Sequence, residues 1–264
     1  MNGEFNAAVH GLVYLNHKGN MVSSEALAAN ICTNPARVRK IMAKLKKAAE
    51  MGESEAMTAL ATFYMEGKIV AANRGEALRH FGLAAAKPVV LVVGGSLGTR
   101  TLNEMMKAWV LSLGGAPAPV QVIWQTGRYY EREMREFLAA HPTDGVWQGP
   151  FIDRMDYAYA AADLVISRSG ACTVSELCLV AKPTIFVPSP NVAEDHQTKN
   201  ARALADRGAA LMVRDDQAVA SAMPLAVGVL GDPARLASLS RGIEALAIDD
   251  SAERIVGEIV KLIG

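Results

Sequence analysis

The chain has 264 residues, which is enough for one large domain or for two to three small ones. Its 27 basic residues balance its 27 acidic residues, so no global charge favours nucleic acid or an anionic membrane surface. It has no run of about 18 apolar residues and no basic-then-apolar leader, so we expect neither a membrane span nor a signal peptide. The three cysteines lack metal-ligand spacing and are expected to be free thiols. Composition therefore predicts a cytoplasmic protein without a metal or other cofactor.

Residues 1–47 carry the pattern of three short helices. The third comes from "TNPARVRKIMAKLKK", where Asn34 is suited to the N-cap and Pro35 to the first helical position. Four basic residues follow one another along this helix at spacings of three, four and three: Arg37, Lys40, Lys44 and Lys47. A basic helix behind a short helix and a tight turn is typical of helix-turn-helix DNA binding. A solvated basic face on a core helix produces the same spacing, so both interpretations stay open here.

This N-terminal stretch resembles the winged-helix repressors related to iron–sulfur and nitrite-sensing regulators. The resemblance implies a two-stranded wing and a cysteine-bearing loop next, but "AAEMGESEAMTALATFYMEG" follows Lys47 instead. A DNA-binding domain without its wing loses many phosphate contacts. DNA binding through residues 35–47 is therefore the less favoured alternative, and we expect nucleic acid not to be a partner.

Residues 48–86 alternate small and aromatic residues as paired helices do. Ala56, Leu60 and Tyr64 share one predicted face. The second predicted face holds Ala77, His80, Phe81 and Ala84. The stretch resembles one Sel-like repeat, a relative of the tetratricopeptide class. A single repeat cannot bury its own apolar face, so another part of the chain must cover it. Its opening "AAEMG" continues the preceding helix, which predicts one helix from about Pro35 to Met51 shared by both units.

Residues 87–264 alternate short β-rich runs with helix-like stretches. The runs are "PVVLVVGG", "VQVIWQTG", "DGVWQGPF", "ADLVISRSG", "KPTIFVPS" and "AALMVRDD". Two helices are predicted after them, near Pro233 to Leu246 and Ala252 to Leu262. This alternation predicts an α/β domain with a parallel sheet flanked by helices, behind an all-α N-terminal region.

A glycine turn follows the first β-rich run. Gly94, Gly95 and Ser96 stand between that run and a helix-like stretch. Glycines allow close backbone approach, and a helix N-terminus favours negative charge, so a diphosphate is the natural ligand. The turn is neither a Walker loop nor G-x-G-x-x-G, and a turn needed only for packing would look the same.

A second strand-to-helix turn stands in "SRSGACTVSEL". It comprises Arg168, Ser169, Gly170, Ala171 and Cys172, with a helix expected from about Thr173. Glu176 is then expected in the first helical turn, where a carboxylate can accept two hydrogen bonds from a vicinal diol. A helix-stabilising acid would account for Glu176 equally well.

A third stretch, "PNVAEDHQTKNARAL", places His196, Gln197 and Asn200 within about one helical turn. Their side chains can donate to and accept from sugar hydroxyls. We assign no proton transfer to His196.

Together the three stretches resemble the C-terminal half of the MurG family of peptidoglycan glycosyltransferases. These enzymes move N-acetylglucosamine from UDP onto lipid-linked muramoyl pentapeptide. The resemblance runs from about Pro88 onward and implies a Rossmann-like domain, the C-terminal half of a GT-B fold. Two positions differ from the family's habit: Thr99, where a small alanine is usual, and Cys172, where a larger aliphatic residue is usual.

The resemblance also implies a site for UDP-N-acetylglucosamine. Gly95 and Ser96 would contact the diphosphate, with Gly94 beside them. The backbone near Ile152 would contact uracil, and Glu176 would bind the ribose hydroxyls. The remaining residues of this implied site would surround the sugar or form its loops: Arg168, Ser169, Gly170, Ala171, Cys172, Thr173, His196, Gln197 and Asn200.

The resemblance further implies a second half that carries another glycine-rich loop, the presumed catalytic histidine and the acceptor contacts. Residues 1–86 hold His10, His17 and His80, none of them in a glycine-rich strand-to-helix turn. We therefore name no catalytic residue and expect weak donor binding with little or no transfer. Incomplete units joined at helices favour a chimera, engineered or natural. A structural scaffold without a ligand remains the alternative.

Overall fold

The computed structural model describes residues 73–95 and 97–248 of the chain. The predicted helices of residues 1–47, the basic residues Arg37, Lys40, Lys44 and Lys47, and the shared helix from Pro35 to Met51 lie outside the described residues. So do the first half of the predicted repeat, Ser96 and the helix predicted near Ala252 to Leu262.

Six parallel strands form one sheet in the order β3-β2-β1-β4-β5-β6. The strands are β1 (Val89–Val93), β2 (Gln121–Gln125), β3 (Val146–Gly149), β4 (Leu164–Ser167), β5 (Thr184–Phe186) and β6 (Leu211–Met212). This is the order of a doubly wound, Rossmann-like fold. The predicted α/β fold class and all six predicted strands are confirmed.

Eight helices are present among the described residues. They are α1 (Arg74–His80), α2 (Arg100–Ser112), α3 (Glu131–Ala140), α4 (Met155–Ala161), α5 (Ala171–Leu179), α6 (His196–Ala205), α7 (Asp215–Leu230) and α8 (Pro233–Glu244). None of these helices is long and apolar enough to cross a bilayer.

The apolar core lies on both faces of the sheet. Along β1, Val90 and Val92 join the cluster that includes buried residues of α2, α3 and α7. Val89, Leu91 and Val93 join the other cluster, with buried residues of α1, α4 and α5. All five residues of β1 are buried. A strand buried on both faces is read as a continuous apolar run, which is why β1 could be predicted from its sequence.

Helix α1 packs against α4 of the sheet unit. Its Ala77 and Leu78, with Phe81 just beyond its end, are buried in the same cluster as Leu91. His80 and Ala84, predicted to share a packing face with Ala77 and Phe81, are exposed. The apolar side of α1 is thus covered by α4. That residues 48–86 form a separate repeat stays a prediction.

An ion pair ties α1 to the sheet. Arg74 Nη2 donates to Asp163 Oδ2 over 2.8 Å, and Arg74 Nη1 donates to Ala161 O over 2.6 Å. The same Oδ2 accepts from the backbone N–H of Val89 over 2.8 Å, where β1 begins. Asp163 therefore links the start of β1 to the helix that precedes it.

Helix α7 was missed by sequence reasoning, which predicted no helix between β6 and Pro233. It spans 16 residues and contains Pro224 in its interior. A proline inside a helical pattern usually ends or bends a helix, so the sequence around it reads as a break. The helix forms because it packs on α2 and buries a stripe of small and apolar residues: Ala218, Ala222, Met223, Ala226 and Val229.

Candidate functional site

The strand order reverses between β1 and β4, which creates a crevice at the carboxyl edge of the sheet. Val93 and Ser167 are the last paired residues of these neighbouring strands. Gly94 and Arg168 therefore start two loops side by side, and the loops lead to helices of opposite faces. In open α/β sheets, ligands bind at this switch point.

The first of these loops runs from Gly94 to Thr99. Gly95 and Gly98 adopt φ of +84° and +81°, a left-handed region that favours glycine. Gly98 N donates to Gly95 O over 3.0 Å, and Thr99 Oγ1 donates to Gly94 O over 2.8 Å. The hydroxyl that distinguishes Thr99 from alanine thus closes the loop on itself.

The glycine loop is supported by the loop that follows β2. A Cβ built on Gly98 would overlap Thr126 O, and one built on Gly127 would overlap the backbone of Gly98. Gln125 Nε2 donates to Gly95 O over 3.4 Å. Neither of the two contacting glycines can carry a side chain without moving the loop.

Helix α2 begins at Arg100 with free backbone N–H groups. Its N-cap, Thr99, makes no side-chain capping bond, and its first turn holds no acidic residue. By contrast, α3, α4 and α7 each carry acids in their first turns. No acid of its own first turn therefore offsets the dipole of α2, as an anion site requires, although Asp215 of α7 contacts the Thr101 hydroxyl in that turn over 3.0 Å.

The second loop leads into α5, which begins at Ala171 instead of the expected Thr173. Its first helical bond runs from Val174 N to Gly170 O, so the N–H groups of Ala171, Cys172 and Thr173 precede the ladder. No side chain caps them, and the first turn of α5 contains no acid. Two uncapped helix N-termini therefore flank the switch point.

Our expectation that Glu176 lies in the first turn of its helix is wrong. The earlier start of α5 moves Glu176 to the second turn, where the helix dipole contributes little. Glu176 instead sits against α4, where Tyr159 donates its hydroxyl hydrogen to Glu176 Oε2 over 3.1 Å. Its Oε1 is buried and has no hydrogen-bond partner among the described residues.

Burial sets the electrostatics of this carboxyl. It raises the pKa of Glu176 to about 7, while the hydrogen bond from Tyr159 acts in the lowering direction. Burial, followed by the charge of Glu176, raises the pKa of the nearby Cys172 thiol. This carboxyl, with one buried oxygen that has no partner among the described residues, thus lies in the second turn of α5, close to the Cys172 thiol.

Arg168 is engaged by protein groups. Its Nη1 donates to Val187 O over 2.8 Å and to Asp215 Oδ1 over 2.5 Å. The backbone of Arg168 lies in the predicted loop, while Nη1 links Val187, directly after β5, to the first residue of α7.

Hydrogen bonds join the second loop to the predicted third stretch. Ser169, fully buried, donates from Oγ to Gln197 O over 2.8 Å. Asn200 Nδ2 donates to Ser169 O over 3.0 Å, and Gln197 Oε1 accepts from Ser189 N over 2.9 Å. The structure therefore brings the second and third stretches together through these side chains.

His196 and Ile152 lie at the same carboxyl edge. His196, exposed at the start of α6, has Nδ1 2.9 Å from Ala193 O. A carbonyl only accepts, so this contact is a hydrogen bond when Nδ1 carries a proton. The Ile152 side chain is buried, and its backbone makes no hydrogen bond to the described residues. Their predicted contacts, of His196 with the sugar and of the Ile152 backbone with uracil, stay predictions.

A parallel sheet in this order, with uncapped helix N-termini at the switch point, defines the class of doubly wound α/β domains. Within that class, the model of the glycosyltransferase family 28 C-terminal domain matches residues 89–228. The chain belongs to this family. The matched range includes all six strands and every described residue of the predicted site.

Two curated relatives of the chain share one name, which states their function. The chain is 53% identical over 191 residues to a UDP-N-acetylglucosamine–N-acetylmuramyl-(pentapeptide) pyrophosphoryl-undecaprenol N-acetylglucosamine transferase of Parabacteroides distasonis, which covers 72% of this chain and 51% of the relative. It is 51% identical over 193 residues to the transferase of the same name from Porphyromonas gingivalis W83, with 72% and 50% covered.

The crystal structure of Acinetobacter baumannii MurG resembles the chain with a TM-score of 0.58 and 30% identity, covering 73% of this chain and 54% of that one. The chain thus spans about half the length of the curated relatives it matches.

Proposed function

We propose that this chain is a donor-binding half of a MurG-type N-acetylglucosaminyltransferase. It binds UDP-N-acetylglucosamine weakly at the carboxyl edge of its sheet. The diphosphate lies against the glycine loop, Gly94 to Gly98, and against the N–H groups that open α5. Glu176 accepts hydrogen bonds from the ribose hydroxyls, the backbone of Ile152 contacts uracil, and α6 contacts the sugar through His196, Gln197 and Asn200.

One observation carries the proposal: two uncapped helix N-termini flank the switch point, and a buried carboxyl with an unpartnered oxygen lies beside one of them. Helix N-termini attract the diphosphate, whereas Glu176 Oε1 needs a donor such as a ribose hydroxyl. A scaffold that bound nothing would gain no stability from keeping this oxygen buried and unpaired. The names of the relatives supply the identity of the nucleotide sugar.

Calorimetric or NMR titration with UDP-N-acetylglucosamine tests donor binding. We expect a dissociation constant in the high-micromolar to millimolar range, which corresponds to a binding free energy of about 4 to 6 kcal/mol. The affinity is low because the ligand contacts only one side of a cleft, so much of its surface stays in water. UDP should bind and ADP should bind more weakly. Glu176→Gln should weaken binding, while Glu244→Gln, the same change at an exposed position of α8, should not. No saturable binding up to several millimolar would leave the scaffold alternative.

We also propose that the chain by itself does not transfer the sugar. An inverting transfer needs a base placed at the acceptor hydroxyl in addition to a bound donor, and none of the described residues at this edge is assigned that role. Incubation with labelled UDP-N-acetylglucosamine and a lipid-linked muramoyl pentapeptide acceptor tests this. We expect no labelled product above that of heat-denatured protein, and product formation would contradict the proposal.

Residues 1–86 have a separate origin in this proposal. Their resemblance to a repressor fragment and a Sel-like repeat supports a chimera with the transferase half. DNA binding through Arg37, Lys40, Lys44 and Lys47 remains the weaker alternative for this segment. A gel shift with non-specific DNA at low and high salt tests whether this segment binds DNA. Phosphate contacts make DNA affinity strongly salt-dependent, so true binding would weaken at high salt. We expect no shift at either salt concentration.

A further inference from the structure

Asp215, the first residue of α7, contacts the second loop of the proposed site and the helix that follows the first loop. Its Oδ1 accepts from Arg168 Nη1 over 2.5 Å, and its Oδ2 accepts from Thr101 Oγ1 over 3.0 Å. Arg168 belongs to the loop between β4 and α5, whereas Thr101 lies in the first turn of α2, directly after the glycine loop. One carboxylate thus joins the two elements, using one oxygen for each.

The contact is largely shielded from water. The side chains of Arg168 and Asp215 are 14% and 23% exposed. A charge-assisted hydrogen bond in such a position is stronger than an exposed ion pair, which contributes little. Arg168 Nη1 also donates to Val187 O, so the guanidinium is held from two directions.

We propose that Asp215 is a positioning residue for the donor site, which fixes the spacing between the N-terminus of α2 and the loop that opens α5. This inference rests on the proposed function. A diphosphate held between two helix N-termini needs both sets of N–H groups at one separation before it arrives. Preorganisation of this kind improves affinity because less ordering is left for the binding step.

The next residue provides a matched control. Asp216 lies in the same first turn of α7 and carries the same charge. Its hydrogen bonds within the described chain go to Arg214, and the two side chains are 62% and 70% exposed. Asp215→Asn and Asp216→Asn therefore remove equal charge from the same helix turn, but only the first change loosens the two loops.

The test measures the affinities of wild type, Asp215→Asn and Asp216→Asn for UDP-N-acetylglucosamine, UDP and uridine by NMR titration. We expect Asp215→Asn to weaken both diphosphate ligands about tenfold, the scale of one charge-assisted hydrogen bond. Uridine affinity should stay unchanged, because uridine has no phosphate to place between the helices. Asp216→Asn should match wild type for all three ligands. A general loss of structure would weaken uridine as well, and that result would overturn the positioning role.

Two further variants guard against a folding defect. Thr101→Val removes one hydrogen bond, keeps the side-chain shape, and should weaken UDP about threefold. Asp215→Glu keeps the charge and both acceptor oxygens, and should recover most of the affinity lost in Asp215→Asn. Failure of Asp215→Glu to recover any affinity, together with an unaffected Thr101→Val, would contradict the inference.

A ligand-free measurement separates this inference from the proposed function. Asp215→Asn should shift the amide resonances of Gly95 and Ala171 together, although both lie far from position 215 in the sequence. Unchanged amides in both loops would overturn the positioning role even if the wild type bound nothing. Wild-type protein that binds no nucleotide contradicts the proposed function. Wild-type binding with an unaltered Asp215→Asn affinity contradicts only the role of Asp215.

Discussion

Tyr159 donates its hydroxyl hydrogen to Glu176 Oε2 over 3.1 Å, while Glu176 Oε1 stays buried without a partner in the described part of the chain. The hydrogen bond orients the carboxyl and lowers its pKa, but burial has the larger effect and raises that pKa to about 7. Burial and the neighbouring carboxylate in turn raise the pKa of Tyr159 well above its ordinary value, so the phenol remains a donor at neutral pH. The pair therefore makes the proposed ribose contact sensitive to pH around neutrality.

The affinity for UDP-N-acetylglucosamine should rise between pH 6 and pH 8. The ribose hydroxyls prefer the ionised carboxylate, so below the pKa of about 7 binding must first release a proton from Glu176. The affinity should then fall up to about tenfold for each pH unit below that pKa. Titrations at pH 6, 7 and 8 measure this. Both phosphates of the ligand are diesters, so the ligand itself does not titrate in this range.

Glu176→Gln should bind weakly at every pH and show no such slope. A wild-type slope that persists in Glu176→Gln would assign the pH dependence to another group.

The same carboxyl should destabilise the folded protein at high pH. Its pKa is about 7 when folded and 4.5 ordinarily, so the folded state holds a proton that the unfolded state releases between these values. The loss in free energy of unfolding that comes from ionising the buried Glu176 carboxyl is absent below pH 4.5 and complete above pH 7. The stability gained by Glu176→Gln over wild type should thus be about 2 kcal/mol larger at pH 8 than at pH 5. Urea unfolding at the two pH values measures the difference.

Glu244→Gln serves as the control for stability because Glu244 is exposed on α8. Its effect should be the same at both pH values. An equal pH dependence for the two variants would mean that burial of Glu176 is not the cause.

Gly98→Ala should disrupt the glycine loop, because the added methyl group collides with the loop that follows β2. A Cβ at position 98 would overlap Thr126 O and the Cα of Gly127. Gly115→Ala is the matched control, since Gly115 has φ of +84° and no atom within 4 Å of a built Cβ. The control should cost only the strain of a left-handed alanine, about 1 kcal/mol. Gly98→Ala should cost at least about 2 kcal/mol more, because backbone must move.

Thermal unfolding and UDP titration distinguish the two glycine variants. Gly98→Ala should lower Tm further than Gly115→Ala and should also abolish measurable UDP binding, which the control keeps. Equal losses of Tm would show that the conformation of the glycine matters and the contact does not.

Much of this fold could be predicted because its four central strands, β2, β1, β4 and β5, are buried along their whole length. The run Val89–Val93 is continuously apolar and ends at glycines, so its end also marks the glycine loop. Asp215 could not be found in this way. It stands near the end of "AALMVRDD", a predicted β-rich run, and starts a helix hidden by Pro224. Its importance comes from Thr101 and Arg168, which are 114 and 47 residues away in the chain.

The position of Glu176 was missed for a related reason. Local sequence suggested a helix starting at Thr173, but packing lets α5 begin at Ala171, where Gly170 serves as the N-cap. Tyr159, which orients Glu176, lies 17 residues earlier on a different helix, and no local pattern marks it. In both cases, the surroundings of the residue depend on contacts between elements that are distant in the sequence, and the sheet order brings these elements together.

Asn103→Ala should destabilise the protein, because it removes the centre of a buried hydrogen-bond network. This network holds Thr126, which packs against Gly98 of the glycine loop. Asn103 is 2% exposed, accepts from Trp124 Nε1 over 2.9 Å, and donates from Nδ2 to Thr126 O over 3.0 Å. Alanine leaves that indole N–H and that carbonyl buried without their partner. The free energy of unfolding should fall by about 2 to 4 kcal/mol. Urea unfolding followed by tryptophan fluorescence measures it, since Trp124 is itself a member of the network.

Asn73→Ala provides the comparison, because Asn73 is an exposed asparagine whose Oδ1 accepts from Gly75 N at the start of α1. Loss of such a cap costs about 1 kcal/mol and should leave the emission of Trp124 unchanged. The two substitutions remove the same atoms, so the excess cost at position 103 reports the unpaired buried groups. If Asn103→Ala cost no more than Asn73→Ala, the network would not be what holds Thr126 against Gly98. The glycine loop would then depend on direct backbone packing alone.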